Sequence, residues 1–132
     1  MDKHRVADDR LLQLDRGSTI VESLVATAVI FLLIAIVAQV AFVVVARDTA
    51  QTAVTAAARR AGRPGADLGA ERARLAEELT RVVPGAAGVT TSLDVEGTAV
   101  TANASIQWSP PGPDLVPITF HATATAPLVV PP

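Results

Sequence analysis

Residues 23–46 read SLVATAVIFLLIAIVAQVAFVVVA, 24 positions without a formal charge. As an α-helix this run is about 36 Å long, against a bilayer hydrocarbon layer of about 30 Å. It exceeds the roughly 7–15 apolar residues of a cleavable export signal. The segment before it also lacks a signal's positive bias, because Lys3, Arg5, Arg10 and Arg16 are balanced by Asp2, Asp8, Asp9 and Asp15. The run therefore reads as a single permanent membrane span. Basic residues near its two ends do not orient it: Arg47, Arg59, Arg60 and Arg63 follow it in the same number as precede it, so the positive-inside rule favours neither side.

Beyond the span 86 residues remain. There is no cysteine, so neither disulfides nor thiolate metal sites can staple them. Aromatic residues are limited to Phe31, Phe42, Phe120 and Trp108. The formal net charge of -2 and the lack of a basic block speak against a nucleic-acid partner. A core built from this Ala-, Thr- and Val-rich remainder is thin, and the expectation is that a partner or neighbouring subunit supports it.

Working outward, residues 47–61 (RDTAQTAVTAAARRA) contain no Gly or Pro, so the membrane helix is expected to continue through them until GRPG at 62–65 stops it. A second helix is expected over about 68–82, with Leu75, Leu79 and Val82 on one stripe. Its outer face carries Arg74–Glu78 and Glu77–Arg81 at i,i+4 spacing. PGAAG at 84–88 ends it. The apolar period then changes from 3.6 to 2. Val89, Thr91, Leu93 and Val95 share one face of a first strand, and Glu96-Gly97 supplies a turn. A second strand puts Val100, Ala102, Ala104, Ile106 and Trp108 opposite Thr101, Asn103, Ser105 and Gln107. SPPGPD at 109–114 is a rigid loop. A third strand sets Ile118, Phe120, Ala122, Ala124 and Ala126 against Thr119, His121, Thr123 and Thr125. Three antiparallel strands with one apolar face must bury it, and the second helix is the available cover. The Pro-bounded tail PLVVPP is expected to order only in an assembly.

No catalytic constellation stands out. His4 and His121 lie on opposite sides of the span, and His121 falls on a polar strand face. Asp94 and Glu96 share a strand parity but belong to a solvated strand end. NAS at 103–105 matches a glycosylation sequon, a short pattern frequent by chance, and GRPG is not a phosphate loop. The expectation is a protein that is not an enzyme and carries no cofactor or metal.

The charged residue nearest the span carries more information. Glu22 stands at the mouth of the apolar run, and acidic side chains cost about 2.5–3.5 kcal/mol at a membrane helix centre and less at the edge. A place at headgroup depth, in a helical turn whose dipole favours a carboxylate, accounts for its tolerance. Within the span, Thr27 can satisfy itself on its own helix, whereas Gln39 favours a partner helix.

The sequence around Glu22 is distinctive: a charged leader, Gly17, Ser18, then a hydrophobic helix with Glu22 as the fifth residue from Ser18. This resembles the type IV prepilin class. The resemblance implies that a membrane peptidase cuts after Gly17, making Ser18 the new N-terminus and Glu22 the fifth mature residue. Such a cut removes the leader charges and leaves an ammonium on Ser18. In a bundle of helices, Glu22 of one chain can pair with the ammonium of its neighbour.

The whole chain resembles the TadE-like proteins of the tight-adherence pilus systems. Gly17, Val21 and Glu22 ahead of an apolar helix carry the likeness, with the Ala-rich TAAARRAG continuation and a small strand-rich exported region. Ser23 after Glu22, and Ser18 at the mature start, differ from the residues usual in major pilins. The resemblance implies a minor pilin-like or pseudopilin-like structural component in pilus assembly. The alternative is a single-pass extracytoplasmic binding or regulatory module that never enters a filament.

The expected fold is α+β: a long N-terminal transmembrane helix that continues outside the membrane, and a second short helix packed on a three-stranded antiparallel sheet. The expected divisions are a cytoplasmic leader at 1–17, the helix at 18–61 and a small extracytoplasmic domain at 62–132. Expected partners are a prepilin peptidase, other pilin or pseudopilin subunits with the inner assembly platform, and the lipid bilayer.

Overall fold

The computed structural model describes residues 3–109 and 117–130, with side chains from Gly17 onward. Most of the 109–114 loop, the end of the tail and the side chains of the leader lie outside the described residues. Five elements follow in chain order: α1 (Lys3–Ala61), α2 (Leu68–Val82), β1 (Ala86–Glu96), β2 (Ala99–Trp108) and β3 (Ile118–Pro127). The three strands form one antiparallel sheet in the order β1-β2-β3. The fold is α+β, as the change of apolar period requires.

The chain divides into two units, residues 1–40 and 41–132. The first is helix alone. From Gly17 to Val40 every side chain is exposed except Gln39, which is half-buried. Thr27 donates its hydroxyl to the Ser23 carbonyl at 2.8 Å, one turn back on the same helix, so its polarity is answered locally. One helix in the described residues is long and apolar enough to cross a membrane, and it lies near the N-terminus.

The second unit is built on the sheet. Pairing register aligns its inner face into rows across the strands: Val89–Ile106–Phe120, Thr91–Ala104–Ala122, Leu93–Ala102–Ala124 and Val95–Val100–Ala126. In the two middle rows the β2 and β3 positions are all alanine, so the sheet is shallow there and something narrow can approach it closely. α1 adds small residues of its own to the same core. Ala46, Ala50, Ala53, Val54, Ala57, Ala58 and Ala61 are buried, and all but Ala61 join α2 and the sheet in one apolar cluster. The cover is therefore double. α2 packs on β1 and contributes Leu75 and Leu79, while the end of α1 contributes a strip of small residues. The expectation of α2 alone as the cover misses this strip, because alanine carries little hydrophobic signal and its run is accounted for by helix propensity alone.

Local interactions fix each end. Asp67 caps α2, its carboxylate accepting from the Gly69 and Ala70 amides at 2.9 and 3.2 Å. Arg60 on α1 donates to Glu71 at 2.9 Å and to Glu78 at 3.2 Å, joining α1 to α2. Glu78 therefore meets Arg60 rather than Arg74, since the interhelical guanidinium offers a more shielded partner. The Glu77–Arg81 pair forms on the outer face at 2.6 Å, as its spacing implies. The buried stripe of α2 ends on Val83 and not Val82: the chain turns extended at Val83 and swings that side chain inward, leaving Val82 exposed. Val95 is also exposed, at the sheet's outer end.

The β1–β2 hairpin closes on Gly97 and Thr98 between the paired Glu96 and Ala99, one residue later than the sequence indicated. Gly97 has φ 59°, which suits the first central position of a two-residue hairpin turn. The tail is tied to its own chain, against the expectation that it orders only in an assembly. The Leu128 amide donates to the Thr98 carbonyl and the Val129 amide to the Gly62 carbonyl, both at 2.8 Å. The outer edge of β3 is also engaged, since the Gln51 amide group donates to the Thr123 carbonyl at 2.8 Å.

Candidate functional site

Gly17, Ser18 and Glu22 all lie within α1 and are exposed. Ser18 and Glu22 stand four residues apart, so their side chains share one helix face about one turn from each other. A Cβ placed on Gly17 would meet nothing within 4 Å, and its φ is not positive. Among the described residues, neither packing nor backbone conformation requires glycine there. Its local effect is to weaken the helix by about 1 kcal/mol relative to alanine, lowering the cost of unwinding around the 17–18 bond. Among the described residues Glu22 makes no ion pair or hydrogen bond. It stands beside Ile20, Val21 and Leu24, exposed at 69%, 61% and 69%.

The other polar residues singled out by sequence remain apart from this site. His121 is exposed on the outer sheet face. Asp94 is exposed and accepts a hydrogen bond from the Ser92 hydroxyl at 3.0 Å. Asn103 sits in the middle of β2, its amide group donating to Ser92 at 3.4 Å and its carbonyl accepting from Thr123 at 3.0 Å. This outer face is a self-satisfied lattice of hydroxyls and amides. No group of His, Asp and Glu able to hold a metal occurs among the described residues.

A second feature was not visible in the sequence. Phe42, Val45 and Ala46 of α1, with Pro84, Gly85 and Trp108, line an apolar cleft of about 140 Å³. The Trp108 indole N–H donates to the Pro84 carbonyl at 2.7 Å, so the polar edge of the ring is already satisfied. Gly85 makes this possible. It has φ 86°, and a Cβ there would fall 2.6 Å from the Ser109 carbonyl oxygen and 3.2 Å from the indole nitrogen. The lone tryptophan and the PG step could have been noticed, but the three segments are distant in sequence: the β1–β2 register brings Trp108 to Pro84 and Gly85, and packing of Ala46 in the core adds α1.

Comparison with family models, with curated proteins and with solved structures finds no match to this chain.

Proposed function

We propose that the chain is a minor pilin-like or pseudopilin-like structural component of a tight-adherence pilus system, cut by a prepilin peptidase after Gly17 and inserted with its N-terminus in the cytoplasm. The observation that carries the reading is the pairing of an unconstrained Gly17 with an unpartnered Glu22 one turn past Ser18, at the head of an exposed apolar helix. A glycine that the chain itself does not require is accounted for by a peptidase that needs a small residue and a bond that unwinds easily. The cut leaves an α-ammonium on Ser18, and Glu22 of an adjacent helix is its natural counter-charge once both leave the headgroup layer.

The test is mass analysis of the protein's N-terminus, together with its recovery in sheared pili, for wild type and Glu22→Ala in cells that contain the peptidase. A mature chain beginning at Ser18 in both, with the variant depleted from pili, is the expected outcome. An intact leader would overturn the processing reading and favour a membrane-anchored module outside any filament. Undiminished incorporation of the variant would overturn the pairing role of Glu22.

A further inference from the structure

The apolar cleft lies at a telling level of the chain. Its α1 wall, Phe42, Val45 and Ala46, belongs to the last turns of the uncharged run, immediately before Arg47. About 20 residues of that run suffice to cross the hydrocarbon, and the surplus is about 6 Å. Counted from Ser23, with Glu22 at headgroup depth, the surplus falls at residues 43–46, which puts the cleft where the acyl chains give way to headgroups. Trp108 is at home at that depth, since amphipathic rings concentrate at membrane interfaces.

Its interior has the chemistry of a hydrocarbon site. Phe42 and Val45 are exposed at 53% and 59%, and the only polar hydrogen of the indole is taken by Pro84. Nothing on these walls offers a water the two to four polar partners it needs. Apolar cavities of about 150 Å³ stay dry and accept a small hydrocarbon, and this cleft holds about 140 Å³. We propose that it takes an acyl segment of a lipid from the adjoining leaflet, seating the strand domain on the bilayer surface instead of holding it clear on a helical stalk. The occupant follows from continuity, because the cleft's helical wall is the end of the same apolar run that the bilayer covers. This inference rests on residues 23–46 lying in lipid and is independent of cleavage at Gly17.

Trp108 is the chain's only tryptophan and reports on the cleft directly. The 132-residue chain is reconstituted in phosphatidylcholine vesicles whose acyl chains carry bromine near the glycerol end, and its emission is compared with that in unbrominated vesicles. Trp108 is expected to lose most of its emission to the brominated chains and little to aqueous iodide. Val45→Phe fills the cleft from an exposed position and is expected to restore emission, with the far-ultraviolet circular dichroism and the cooperative thermal transition of the domain retained. Protein that floats with the vesicles yet keeps its emission in brominated lipid overturns the proposal. So does quenching that survives in Val45→Phe, quenching by iodide, or emission that tracks the protein-to-lipid ratio, which would give the cleft to a second copy. Protein that does not float overturns the membrane reading as well.

Discussion

Gly85 and Gly97 are chemically identical, both carry a positive φ, and they are expected to differ sharply on substitution. At Gly97 (φ 59°) an added Cβ meets nothing within 4 Å, whereas at Gly85 (φ 86°) it would lie 2.6 Å from a backbone oxygen that cannot rotate away. Gly97→Ala is therefore expected to cost only the left-handed backbone penalty, about 1–2 kcal/mol. Gly85→Ala adds a steric term and is expected to cost about 1–3 kcal/mol more. It also displaces the Pro84 carbonyl from the indole, so its fluorescence is expected to shift even where the protein stays folded. Urea unfolding followed at Trp108 measures both, and equal losses at the two sites would refute the packing argument. Which residues of β2 would be buried was readable at this scale, because Val100, Ala102, Ala104, Ile106 and Trp108 alternate with polar neighbours, whereas Val95 of β1 and Ile118 of β3 follow the same alternation and are exposed. That Gly85 is a packing glycine was not, since the atoms it must avoid come from Trp108 and Ser109.

Among the elements, the joint between α1 and α2 depends on charge where the rest of the domain depends on small apolar groups. Arg60 keeps only 19% of its side chain exposed, and Glu71 and Glu78 keep 19% and 32%. Its hydrogen bond to Glu71, reinforced by the negative charge of both carboxylates, outweighs its burial and raises the Arg60 pKa above its ordinary value. A raised pKa on a cationic group means a stabilising contribution fully present below the unfolded-state pKa. It is lost only as pH climbs through the folded-state value, in strong alkali. Arg60→Gln is expected to cost about 1–2 kcal/mol, more than an isolated exposed pair because the guanidinium is shared and shielded. The loss in Tm relative to wild type is expected to stay constant between about pH 7 and 10, where arginine does not titrate. A difference that shrinks over that window would contradict the assignment. The bounds of α2 were legible here, as the helix spans Leu68–Val82 and stops before the PG step. The partner of Glu78 was not, because i,i+4 spacing offers Arg74 while the competing Arg60 lies on another helix.

At the level of the whole molecule, the question is where the folded domain begins. The sequence places a boundary at GRPG, because glycine and proline interrupt helices and the strands come after it. The packing places part of the domain before it: seven residues from Ala46 to Ala61 are buried, and the compact unit starts at residue 41. The reason lies in the sheet. Its central rows carry Ala102, Ala104, Ala122 and Ala124, which leave a shallow trough, and an alanine-faced helix is what fits closely enough to exclude water from it. Two fragments are therefore expected to behave differently. Residues 41–132 are expected to fold, with a cooperative thermal transition and a structured near-ultraviolet signal from Trp108. Residues 62–132 lose the helical strip, the Arg60 joint and the Gln51 bond to the β3 edge, and expose the apolar rows of the sheet. That fragment is expected to lack a cooperative transition. Equal cooperativity in the two would mean that α2 alone covers the sheet, and that α1 is an attached stalk instead of a structural layer. The same comparison bears on the thin core that composition implies: a chain poor in large side chains can still close its interior if two small-residue surfaces meet face to face.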